Sequence, residues 1–100
     1  MLENWTQELL EQNLNTLFEV QPPGAVTQNL ELVTVTRLTS NPAVVAFSAI
    51  FRGPLDQPLM QGLYPVCHER MGLVDLFIVP VARDADGMRY EAVFNRLLKP

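Results

Sequence analysis

The stretch from Gly72 to Arg96 constrains this chain more than any other. Two runs rich in Val, Phe, Ile and Tyr, Gly72–Arg83 and Met88–Arg96, flank Asp84-Ala-Asp-Gly87. β-branched and aromatic residues suit a pleated strand, and an Asp-Gly pair suits a two-residue turn whose central residues need positive φ. The expected product is a β-hairpin whose turn sets the register of both arms. It predicts a small antiparallel β domain and, by itself, no chemistry.

Further strands are legible upstream. Residues 16 to 21 read as a first strand, stopped by Gln21-Pro-Pro-Gly24, since neither proline donates to a ladder. Residues 29 to 38 are a β-branched run, and Ser40-Asn-Pro42 signals a turn. Residues 44 to 52 read as a central strand, with Phe47, Ala49 and Phe51 on one face and Ala46, Ser48 and Ile50 on the other. The connection 53 to 62, bounded by glycines and holding two prolines, is expected to cross an end of the sheet. Residues 63 to 68 form a short strand that Pro65 places at an edge or bulge, and Pro80 must break or bulge the ladder of the strand at 73 to 82. The last strand, 88 to 96, carries Tyr90, Ala92 and Phe94 on one face.

A short helix is expected near residues 4 to 13, capped by Asn4 with Gln7 completing a capping box. Leu2, Trp5 and Leu9, with Leu10 beside them, form its apolar stripe, while Glu8, Glu11 and Gln12 face water. Such a helix is stable only when docked, here as a plug on one end of the sheet or else on another chain. The fold class is therefore mainly β: a single domain over residues 1 to 100, an antiparallel β-barrel or two-sheet sandwich of about six strands. Its expected core is Phe18, Val35, Phe47, Phe51, Phe77, Val79 and Phe94.

Composition narrows the function classes. With 48% hydrophobic and 18% charged residues, the chain is a folded domain and not a disordered one. The net charge is −4, with five Glu and no Lys or Arg in residues 1 to 36. No basic stripe exists to neutralise phosphates, which argues against nucleic acid as a partner. The single Cys67 forms no internal disulfide, which points to a reducing compartment. The N-terminal residues lack a basic n-region and an apolar h-region, and no apolar run nears the roughly 20 residues of a membrane helix. A soluble, cytoplasmic protein without a membrane role is expected.

No residue cluster in the chain carries a catalytic or metal-binding pattern. Alternation in a strand puts Cys67 and Glu69 on one face and His68 on the other, so the three do not grip one metal, and no second Cys or His completes a zinc site. The expectation is a buried Cys67 beside an exposed His68. Asp84, Asp86 and Glu91 lack the remaining oxygens of a calcium loop. Ser48 has no nucleophile elbow, and Asp75 with Glu69 or Glu91 is not marked as an acid/base pair. No catalytic residue, metal or cofactor is assigned. Arg52 and Arg96 each end an apolar strand; they either contact a partner or anion, or pair with Asp56, Asp75 or Glu91.

The runs Phe47–Pro54, Gln61–Tyr64, Leu76–Val81 and Asp86–Arg96 resemble a family of small bacterial domains of unknown function that occur beside phage-tail-collar-type proteins. The resemblance spans residues 45 to 97 and carries no catalytic roles. It implies a protein partner of tail-collar or fibre type. Together with the missing catalytic set and the unpaired edges left by prolines, this favours a non-enzymatic interaction or assembly module, with Arg52, Tyr64 and Arg96 as partner contacts. Homodimerisation through an edge strand is compatible with that reading. The alternative is a small-ligand-binding β-barrel, and a third reading is an enzyme built on Cys67 and His68.

Overall fold

The computed structural model describes residues 5–97. A helix, α1 (Gln7–Gln12), precedes six strands: β1 (Leu17–Val20), β2 (Gln28–Arg37), β3 (Val44–Gly53), β4 (Gly62–His68), β5 (Gly72–Asp84) and β6 (Gly87–Leu97). All pair antiparallel in the order β1-β2-β3-β6-β5-β4, and β1 pairs back onto β4 to close a barrel. The closure rests on two register pairs, Glu19 with Cys67 and Val20 with Val66. It decides between barrel and sandwich.

Alternation fills the barrel. Phe18, Leu30, Leu32, Phe51, Ile78 and Tyr90 point inward and are fully buried. Phe18 meets Trp5 and Phe51 edge to face, with centroids 5.6 and 5.3 Å apart. Two expected core residues are corrected. Phe77 is half exposed and Val79 only partly buried; the inward residues of β5 are Val74, Leu76 and Ile78. Both faces of β5 are apolar, so alternation alone carries no parity. Pairing with β4 sets it, placing Leu76 opposite Tyr64 and Val74 opposite Val66.

The β5–β6 turn is also corrected by one residue. Asp84 pairs with Gly87, so Ala85 and Asp86 form the loop, and neither has positive φ. The Asp86 N–H instead donates to Asp84 Oδ1 at 2.9 Å, an Asx turn. Gly87 opens β6 at φ 145°, and a Cβ there would run into the Gly53 carbonyl. The two prolines act as expected. The register shifts between Pro80 and Ala82. Pro65 accepts from the Gln21 N–H where β1 has ended, so its missing donor falls where no strand needs it.

Both barrel ends are covered. The 54–61 connection crosses one end, where Leu59 is buried and its N–H donates 2.8 Å to Tyr90 Oη. Tyr64 Oη donates to the Met60 carbonyl and Gln28 Nε2 to the Gln57 carbonyl, tying the same loop down. The helix covers the opposite end.

Candidate functional site

The barrel wall is split along part of one seam. β6 pairs with β3 over Met88–Leu97, from Leu97 opposite Val44 to Met88 opposite Gly53. It pairs with β5 only over Gly87–Glu91. Residues 92–97 therefore have β3 on one side and no described strand on the other. Successive strand residues direct their N–H and C=O groups to opposite sides, so alternate residues of this segment present a free backbone edge.

The helix lies over this opening, held by local chemistry. Thr6 is the N-cap, its Oγ1 accepting from the Leu9 N–H at 3.1 Å. The expected cap, Asn4, and the stripe residue Leu2 lie outside the described residues. Thr6 as cap puts Trp5 just before the helix and Leu10 at its fourth position, the pattern of a hydrophobic staple, and both are buried. Trp5 Nε1 donates to the Met71 carbonyl at 3.0 Å, anchoring the helix entry to the β4–β5 turn. At the exit, Asn13 accepts from Arg70 Nε at 2.9 Å, and the Asn15 N–H reaches the Leu32 carbonyl at 2.7 Å.

Between helix and split seam lies an open cleft of 680 Å³. Its floor includes Val45 and the rings of Phe47 and Phe94, stacked at 4.8 Å and 11°. Glu8 and Glu11 line the helix side; Val93, Asn95 and Arg96 line the β6 side. The cleft thus joins an apolar floor, an acidic wall, a basic rim and a free strand edge.

Of the residues expected to meet a partner, only Arg96 reaches this cleft. It is exposed and makes no ion pair among the described residues. Arg52 instead pairs with Glu31 directly across β2 and β3, a different carboxylate from the three the sequence suggested. Tyr64 is corrected: it is buried and hydrogen-bonded to Met60, so it offers no exposed contact.

The Cys67–His68 expectation is reversed. β4 points Tyr64, Val66 and His68 inward, leaving Cys67 exposed and His68 at 3% exposure. His68 Nδ1 accepts from the backbone N–H groups of Arg70 and Met71 at 3.0 and 3.3 Å. That assigns the proton to Nε2, which donates to Thr16 Oγ1 at 2.8 Å, while Thr16 Oγ1 donates onward to the Asn13 carbonyl at 2.7 Å. Burial pulls the imidazole below its usual pKa; the Arg70 charge adds to this and Glu69 opposes it. The ring is thus a neutral knot between the helix exit and the β4–β5 turn, on the opposite face from the Cys67 thiol. The other candidates are likewise engaged: Ser48 Oγ donates to Glu91 at 2.6 Å, and Asp84 lies 3.4 Å from Arg89. Among the described residues no three His, Cys, Asp or Glu side chains cluster as metal ligands.

Residues 5–94 match the family described as a domain of unknown function, DUF6916. The chain belongs to this family. No curated protein and no solved structure matches it. No helix among the described residues is long and apolar enough to cross a membrane.

Sequence reasoning missed the rest of the cleft. Glu8 and Glu11 read as a water-facing helix side, which they are, but nothing local shows that this side looks onto β6. Val93 and Asn95 gain their position from the point where β5–β6 pairing stops, a long-range property. The one local trace of that stop is Pro80, at the bulge just before the last pairs.

Proposed function

We propose that this DUF6916 domain is a non-catalytic protein-interaction module that takes an extended segment of a partner onto the free edge of β6. The observation that carries the proposal is the run 92–97, paired on one side only and bordering a cleft with an aromatic floor. An added strand gains main-chain hydrogen bonds from such an edge, while side-chain pockets give selectivity. Here Val45, Phe47 and Phe94 favour an apolar side chain, and Glu8 and Glu11 favour a Lys or Arg near it. The resemblance of residues 45 to 97 to domains found beside tail-collar-type proteins supports a collar- or fibre-type partner. A second copy pairing β6 to β6 is the competing occupant. The ligand-binding alternative has less support: Phe18, Phe51, Leu30, Leu32, Ile78 and Tyr90 occupy the barrel interior.

The test compares wild type with the Val93→Lys, Arg96→Glu double variant, which changes two exposed side chains and leaves the core intact. Both are purified by tag from the producing cells and sized by chromatography. Wild type is expected to carry a stoichiometric protein that the variant loses while keeping its thermal midpoint. Retention of that protein by the variant, or a bare monomer from wild type, removes the proposal.

A further inference from the structure

A second surface lies on the outer wall formed by β1, β4 and β5, with β5 next to β6 in the barrel. On the outer face of the β4–β5 hairpin, Leu63 stands opposite Phe77, Pro65 opposite Asp75, and Cys67 opposite Leu73. Leu63 and Leu73 are each 64% exposed and Phe77 50%. A solvated antiparallel face normally alternates to polar residues, and a contiguous exposed apolar patch marks an interaction surface. β5 departs from that alternation, with Val74, Leu76 and Ile78 inside the barrel and Leu73 and Phe77 outside.

The charges on this face say what covers it. Asp75 sits at its centre, between Leu73 and Phe77, and Glu19 of β1 adds a carboxylate beside Cys67. Two strand spacings and a two-residue offset along the strands separate the two acids, about 12 Å. Among the described residues, segments 17–20, 63–67 and 73–77 of this face hold no Lys or Arg; Arg83 lies at the far end of β5. A two-fold dimer through this patch sets Asp75 near its own copy, burying like charges without compensation. An anionic membrane surface meets the same carboxylates and is repelled. We infer that the β1–β4–β5 face docks a partner protein whose contact surface is apolar and carries Lys or Arg side chains that meet Asp75 and Glu19. The cleft beside β6 uses other strands, so the two surfaces together let one small domain bridge two partners.

The test is a titration of the ¹⁵N-labelled full chain followed by NMR. The probes are a designed hairpin peptide alternating Val with Lys, its Val–Glu counterpart, and phosphatidylglycerol vesicles, alongside a dilution series of the chain alone. The Val–Lys hairpin is expected to shift amides of residues 63–67 and 73–77, read apart from any shifts at 92–97, where the cleft also accepts an apolar, basic strand. It should bind roughly tenfold more tightly than the Val–Glu hairpin, the worth of one well-placed charge pair. The Asp75→Asn, Glu19→Gln variant should lose a similar factor towards the Val–Lys hairpin. Equal binding of the two hairpins, no shifts on this face, vesicle binding through it, or concentration-dependent self-pairing there would each overturn the inference. The amides of 63–67 and 73–77 and those of 92–97 report separately, so failure here is distinct from failure of the cleft proposal.

Discussion

His68 shows how much one buried side chain can hold. It joins Thr16 after the helix to the backbone of Arg70 and Met71, and Met71 in turn receives Trp5 Nε1. Protonation would turn Nδ1 from an acceptor into a donor facing two N–H groups. Because the folded imidazole titrates below the ordinary value near 6.5, the unfolded chain takes up the proton first as the solution is acidified. The stability it supplies is complete above that unfolded value and is lost as pH falls through the window down to the lowered folded value. Thermal midpoints should therefore fall between pH 7.5 and 5.5. As the chain has a single His, a His68→Gln variant should show a flatter profile over the same range. Ordinary residue tendencies put a Cys inside and a His outside. In β4 both alternating sets, Leu63-Pro65-Cys67 and Tyr64-Val66-His68, are apolar enough to face a core, so parity was not legible from the strand alone.

At the scale of elements, local chemistry placed most of the fold. All six strands overlap the runs marked by β-branched and aromatic residues, and the prolines at 65 and 80 sit at a pairing limit and a bulge, as their missing donors require. The helix exists and plugs one end of the barrel, but Thr6 caps it, and the turn centre moved from Asp86–Gly87 to Ala85–Asp86. Both shifts have short-range causes that several nearby Ser, Thr, Asn and Asp residues compete to supply. Replacing Thr6 with Ala should cost about 1 kcal/mol in urea unfolding, the usual worth of an N-cap hydroxyl. Since the helix walls the cleft, the same change should weaken capture of a β6 partner without altering contacts on the β4–β5 face.

Over the whole molecule, closure was the least legible feature. The β1–β4 pairs that distinguish barrel from sandwich join segments nearly fifty residues apart, and β1 itself is only four residues long. The split seam that forms the cleft has the same long-range origin. Inside and outside of the barrel should respond differently to truncation. Phe51→Ala removes a ring buried against Phe18 and should cost about 3–5 kcal/mol. Phe77→Ser, on the outer face, should stay within about 1 kcal/mol by equilibrium unfolding, because half its surface is already in water. A large loss at Phe77 would place that side chain in the core after all.

Partner capture depends above all on the free edge of β6. Amide hydrogen exchange across residues 92–97 tests it most directly, first on the isolated domain and then on its complex with the protein that co-purifies. In the free domain, alternate amides of this run should exchange fast while those paired to β3 stay protected, and the fast set should become protected in the complex. A run already protected throughout in the free domain, or one left unchanged by the partner, would contradict the account.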